Sequence, residues 1–271
     1  MTIRKQTRLP FIALVLALVL VPVLSVSAIT GDEIAENVES RPSGDTSHAL
    51  VQMLLIDSDD TTQERVVEQY SAENADGLTR SVIMFHRPAS VKDTRFLTVE
   101  NANQDDDQWI YLPALRRVRR IAASEGGSSF MGTDFSYDDL TTRDTDDYNQ
   151  TYLRDEELTI QQGGGQRTKT VHVVEVTPKS GTDSQYSKIV EYVDPEMWLP
   201  IKVELYEDGE LLKINTMERV ERVQGFWTPI VNVMENAQTG HRTELRIQRF
   251  EYNQNVPDGL FTTNFLRTGR P

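Results

Sequence analysis

From about Ser47 to Tyr252 the chain runs in short segments whose apolar and polar residues alternate with period two, the spacing of strands with one face buried. Leu50 to Ile56 and Glu64 to Tyr70 are two such runs, parted by the polar turn Asp57-Ser58-Asp59-Asp60-Thr61. Leu78 to Phe85 and Thr94 to Glu100 follow; further on come Tyr148 to Leu153, Thr168 to Val176, Tyr186 to Val193 and Leu199 to Tyr206. Asp208-Gly209 then joins Leu199 to Tyr206 to Leu211 to Met217, the strongest hairpin signal in the chain, before Phe226 to Met234 and Thr243 to Tyr252 close the series. Strands at steady spacing with short turns and few helices predict one antiparallel sheet curved on itself. No linker, internal repeat or second domain interrupts it.

The first thirty residues break this pattern. Arg4, Lys5 and Arg8 precede an apolar run from Leu9 to Val26, and Val26-Ser27-Ala28 supplies the small-residue site of a secretory signal peptide. Pro10 and Pro22 near the ends of the run favour cleavage after Ala28 over a retained anchor. The expected organisation is a signal peptide over 1–28 and one domain over 29–271, delivered to the periplasm. The absence of cysteine excludes a thioether-linked lipid anchor and any disulfide. Thr30 to Ser40 then reads as a helix: Thr30 or Asp32 caps it, Ile34 and Val38 share a face, and Pro42 ends it.

Charge narrows the partners. The first 28 residues hold three basic residues and no carboxylate, so 25 basic residues face 42 acidic ones over the rest, a net charge of −17. Such a surface repels nucleic acid and anionic lipid head groups at long range, and neither is expected as a general partner. Asn101 to Asp107 is oxygen-rich but lacks the glycine and distal glutamate of a calcium loop, and reads as a solvated hairpin tip. The four histidines are scattered, with no zinc spacing and no nucleophile motif, so neither metal nor cofactor nor catalysis is expected.

One stretch, Gln108 to Leu140, escapes the simple alternation. Trp109, Tyr111 and Leu112 place apolar and aromatic residues on both faces of a strand. Leu115 to Ile121 then carries Arg116, Arg117, Arg119 and Arg120; read as a strand, it sets Arg117 and Arg119 on one face and Arg116 and Arg120 on the other. An arginine on a buried face needs a carboxylate or a ligand head group, and Asp134 and Asp138 are available for either arrangement. Gly126 to Gly132 brackets Phe130 and Met131, with Phe135 and Tyr137 just beyond. These large apolar residues either tuck into the core or form a lid over an apolar pocket.

The blocks Met84 to Leu97, Gln108 to Ile121 and Ser129 to Leu140, extended by Trp198-Leu199-Pro200, Phe226-Trp227-Thr228-Pro229 and Leu260 to Leu266, resemble the outer-membrane lipoprotein-sorting (LolA-like) family, in its branch associated with RND-type exporters. The resemblance implies a mainly β fold: an unclosed, half β-barrel whose concave face is covered by short helices and holds lipid or the acyl chains of lipoproteins. It implies a periplasmic carrier or adaptor, not an enzyme, between an inner-membrane RND-type exporter and an outer-membrane acceptor. Candidate cavity or lid residues are Trp109, Tyr111, Leu112, Phe130, Met131, Phe135 and Tyr137, with Arg117, Arg119, Asp134 and Asp138 as head-group or internal ion-pair residues. The alternative within the same fold is a lipid-sensing regulatory module of the envelope. The carrier reading needs room for an acyl chain on the concave face.

Overall fold

The period-two runs become thirteen strands of one sheet in the computed structural model, which describes residues 29–271 apart from 103, 163 and 164. The expected signal segment lies outside the described residues. In chain order the strands are β1 (Thr46–Ile56), β2 (Thr62–Glu73), β3 (Thr79–Arg87), β4 (Arg95–Val99), β5 (Asp107–Leu112), β6 (Arg117–Arg120), β7 (Tyr148–Gln162), β8 (Gly165–Pro178), β9 (Lys188–Asp194), β10 (Leu199–Glu207), β11 (Glu210–Val223), β12 (Phe226–Asn236) and β13 (Arg242–Tyr252). Their order across the sheet is β10-β9-β8-β7-β11-β12-β13-β1-β2-β3-β4-β5-β6.

The pairings are antiparallel except at one place. β11 pairs with β10 through Glu210 to Thr216, bulges, and then meets β7 in parallel at Arg219↔Gln161 and Val220↔Gln162. That end of the sheet therefore rolls on itself around Val171, Val173, Tyr192, Leu199, Ile201 and Val220, all buried. The other end stops at the four-residue β6, so the sheet as a whole is not closed into a barrel.

Alternation assigns the two faces of the β1 to β6 half. Met53 and Leu55 on β1, Val67 on β2, Phe85 on β3, Phe96 on β4 and Ile110 on β5 form one cluster, which defines the inner face. Val82, Leu97, Trp109 and Tyr111 point to the outer face. A second inner cluster, on β8, β9 and β10, gathers Val174, Val176, Ile189, Val193 and Leu205, and Leu245 packs against both.

Two helices cover these faces. Helix α1 (Gly31–Glu39) begins with a capping box: Thr30 Oγ1 accepts from the Glu33 amide at 3.2 Å while Glu33 Oε2 accepts from the Thr30 amide at 2.8 Å. Ile34 is buried in the second inner cluster. Gly31 permits the approach, since a Cβ there would stand 2.4 Å from the Gln150 carbonyl oxygen of β7. At the other terminus, a 3-10 turn (Asp258–Phe261) and helix α2 (Thr263–Thr268) place Leu260, Phe261, Phe265 and Leu266 on the outer face beneath β3 to β6. The period-two reading also undershoots two strands, because β7 and β11 continue past Leu153 and Met217 with residues that are exposed on one side and so lack the apolar half of the pattern.

Candidate functional site

The inner face is occupied by the segment between β6 and β7. It starts with a 3-10 turn (Ala123–Glu125), crosses the sheet, and ends in another (Asp138–Leu140). Between them the Phe130 amide donates to the Phe135 carbonyl at 2.8 Å and the Tyr137 amide to the Ser128 carbonyl at 3.1 Å, leaving one isolated bridge, Ser129↔Ser136. The reversal at its tip puts Met131 and Gly132 at φ of 53° and 77°. Two successive left-handed residues are what a tight mirror-type turn requires; glycine adopts this freely, whereas Met131 takes it at a cost of about 1 kcal/mol.

This turn drives an aromatic plug into the sheet. Phe130 is 1% exposed, with its ring centroid 4.9 Å from Phe96, 5.9 Å from Phe85 and 5.8 Å from Tyr137. Phe135 turns the other way and packs into the second inner cluster beside Ile34. Met131, half-buried, sits at the rim of the first cluster with Val91 and Leu112.

Polar side chains from the sheet hold the plug in place. Gln108 Nε2 donates to the Tyr137 carbonyl at 2.8 Å, and Arg65 Nη1 to the Met131 carbonyl at 2.7 Å. Thr243 Oγ1 accepts from the Asp134 amide at 2.9 Å and donates to Asp134 Oδ2 at 2.7 Å, where His241 Nδ1 also lies 2.7 Å away. Asp139 is the hub of the third anchor: its carboxylate accepts from the Ser136 amide at 2.7 Å, from the Tyr186 hydroxyl at 2.7 Å and from Lys213 Nζ at 3.0 Å. The side chains of Lys213 and Asp139 are each 8% exposed. Burial and the Asp139 charge push the Tyr186 phenol up, so it stays a neutral donor. Asp138 is pushed up to about 6, first by burial of its carboxyl against Gly126 and then by the charges of Asp139, Asp183 and Asp105.

The eleven sequence-derived site residues thus separate into distinct places. Phe130, Tyr137, Met131 and Leu112 meet at the first inner cluster, and Phe135 joins the second. Trp109 and Tyr111 lie on the opposite face under α2, so they do not line the inner face; the strict alternation of β5 sends them there. The arginine strand is shorter than expected. Leu115 and Arg116 form a turn after Leu112, with Arg116 at φ 50°, and the strand begins at Arg117.

The expected pairs with Asp134 or Asp138 are replaced by nearer partners. Arg119 binds Glu125 at 2.6 Å, a carboxylate only six residues on, and the Ala122 amide and Arg119 hold Glu125 well below the usual carboxylate range. Asp134 takes His241 and Thr243, and Arg117 is exposed with no ion pair among the described residues. Arg65, Gln108, Tyr186, Lys213, His241 and Thr243 were not singled out from sequence. Lys213 carries the one readable signal, a lysine inside the apolar run Leu211-Leu212-Lys213-Ile214.

Among the described residues, the chain's own aromatic side chains fill the inner face, the place expected from sequence to hold an open apolar pocket. Beside the plug runs a polar cleft of about 310 Å³, lined by Ser129, Thr133, Asp134, Gln185, Lys213 and Asn236 among others. A larger cleft of about 630 Å³ lies elsewhere, between Arg167, Lys169, Glu196, Arg222 and Trp227. Neither has the apolar lining that an acyl chain needs. No group of histidines and carboxylates suited to a metal occurs among the described residues.

The plugged sheet has solved relatives. A structure from Vibrio parahaemolyticus described as an outer membrane lipoprotein-sorting protein domain is 31% identical over 88% of this chain and 98% of its own, with a TM-score of 0.79. The chain belongs to the outer-membrane lipoprotein-sorting, LolA-like family. A DUF1329 family protein from Desulfovibrio piger is 28% identical, covering 87% of this chain and 97% of its own at a TM-score of 0.80. A LolA superfamily protein from Nitrosomonas europaea, 22% identical over 88% of this chain and all of its own, shares the fold at a TM-score of 0.66. A family model described as "-like: Uncharacterized protein" matches residues 77–268, which takes in the whole plug and its anchors from β5, β11 and β13 and from Tyr186 just before β9. Comparison with curated proteins finds no match. Among the described residues of this LolA-like chain, no helix is long and apolar enough to cross a membrane.

Proposed function

We propose that this LolA-like protein is a periplasmic carrier that binds lipid, or the acyl chains of lipoproteins, on the inner face of its sheet, and that cargo enters by displacing the 122–141 plug. The observation that carries this reading is the composition of the filled site. Phe130 and Tyr137 satisfy an apolar face built by Met53, Val67, Phe85, Phe96 and Ile110, yet they stand on a segment tied to the sheet through side-chain contacts, those of Arg65, Gln108, Lys213 and Thr243 among them, instead of a strand ladder. A segment of that kind opens at lower free energy than the strands beneath it. Its removal would expose a contiguous apolar surface of the type an acyl chain covers.

The polar groups that hold the plug fit binding better than catalysis. Asp139, Tyr186 and Lys213 satisfy one another, which leaves none of the three a free base. The vicinity to two membranes suits an inner-membrane exporter of the RND type as donor and an outer-membrane component as acceptor. The test is native mass spectrometry of the protein purified from its own envelope. A hydrophobic ligand that dissociates as a discrete mass is expected. Ligand-free protein that also fails to bind a fluorescent fatty acid would refute the carrier reading.

A further inference from the structure

In this acidic chain most arginines and lysines are matched to a carboxylate or carbonyl, as in Arg80 with Asp258, Lys169 with Asp194 and Glu196, and Arg249 with Glu251. Four exposed cations with no side-chain hydrogen bond or ion pair to any of the described residues gather at one end of the sheet: Arg87 and Lys92 around the β3–β4 loop, and Arg116 and Arg117 at the β5–β6 turn. The two loops are neighbours because β4 begins where β5 ends, with Arg95 paired to Tyr111. Asp93, the carboxylate in the first loop, lies 3.9 Å from Arg95 and offsets that fifth cation. At the apex, between Pro113 and Arg116, stands Leu115 at 55% exposure; among the described residues the other exposed large apolar residue, Leu153 at 42%, is on β7 far along the sheet order.

We infer that the loops 88–94 and 113–116 form a docking tip for the anionic phosphate surface of a lipid bilayer, with Leu115 entering the head-group layer. An exposed apolar side chain on a turn with Arg116 and Arg117 beside it and Arg87 and Lys92 on the neighbouring loop has the form of a membrane-surface contact, where charge attraction and shallow apolar insertion act together. A protein partner would have to supply a matching pocket for Leu115, whereas a fluid lipid surface receives it without one. The net charge of −17 over residues 29–271 repels the remainder of the molecule from the same surface, so contact is confined to this tip and stays reversible. The tip also adjoins the plug: Val91 from the first loop and Leu112 beside the second pack with Met131 against the first inner cluster. Docking there would turn the rim of the plugged face toward the bilayer. The inference goes beyond the carrier reading and is tested separately, since bound ligand and vesicle contact are measured on different samples.

The chain contains no cysteine, so Leu115→Cys and Leu153→Cys each provide a unique position for an environment-sensitive dye. Labelled protein is mixed with vesicles of phosphatidylcholine alone or equimolar phosphatidylcholine and phosphatidylglycerol. A blue shift at 115 on the anionic vesicles only, with none at 153, is expected. Arg116→Glu with Arg117→Glu should reduce flotation with these vesicles by about 25-fold or more, at about fivefold for each cation lost, with circular dichroism unchanged. Ionic strength of about 1 M should remove the charge-dependent part. Equal shifts at both positions, or binding insensitive to the two charge reversals, would overturn the assignment. So would a tip that ignores anionic vesicles and is instead protected by an acidic polypeptide.

Discussion

If cargo enters by displacing the plug, weakening the plug should tighten cargo binding while destabilising the protein. Phe130→Ala separates these effects. The ring is fully buried among Phe85, Phe96 and Tyr137, so its loss removes the burial energy and leaves a hole that the surrounding strands cannot close. Substitutions of this type cost about 3–5 kcal/mol. For a chain of this size, that corresponds to a fall in Tm of about 10 °C. The same energy is taken from the closed conformation relative to one with the plug withdrawn. The apparent affinity of a ligand that binds the withdrawn state scales with the population of that state, so while that state stays minor, affinity for a fluorescent fatty acid should rise by about two to nearly four orders of magnitude. Urea titration reports the first quantity and fluorescence titration the second. Phe265→Ala is the matched control: this ring is as well buried, but lies on the outer face under β4 to β6. It should destabilise comparably and leave fatty-acid affinity unchanged. The reasoning fails if Phe130→Ala lowers stability without raising affinity, or if both variants raise it equally.

The anchors and the helix contact make further expectations. Lys213→Met leaves the Asp139 carboxylate buried without its cation and should cost about 3–5 kcal/mol, most of it recovered in Lys213→Met with Asp139→Asn, as a double-mutant cycle in urea will show. Asp138 has its folded pKa raised to about 6, so its protonated form is favoured by folding; that contribution is complete below the unfolded value of about 4 and is lost as pH rises through 6. Asp138→Asn should therefore flatten the decline in stability between those pH values and gain about 1 kcal/mol near neutrality, the modest size reflecting solvent access to this residue. Gly31→Ala should loosen α1 by about 1–3 kcal/mol through the clash with the Gln150 carbonyl, visible as faster amide exchange in residues 31–39.

The mainly β class and most strand positions are legible in residue order. Alternation is a local property, so β1, β3, β8, β9, β12 and β13 are readable from runs such as Ala49-Leu50-Val51-Gln52-Met53, and the Thr30 and Glu33 pair marks the start of α1 without reference to any other residue. The resemblance carried by Gln108 to Leu140 identified the family for the same reason, because it depends on residue order alone. Tertiary structure decided what period two leaves undetermined. The two faces of a strand look alike until a partner covers one of them, so Trp109 and Tyr111 went beneath α2 while Phe130 and Tyr137 took the inner face. Long-range pairing likewise fixed the charges: Asp139 reaches Lys213 and Asp134 reaches His241 across 74 and 107 residues, distances at which spacing along the chain holds no information. Only the fold brings Arg87 and Lys92 beside Arg116 and Arg117, because β4 and β5 run antiparallel and set two separate loops at one end of the sheet.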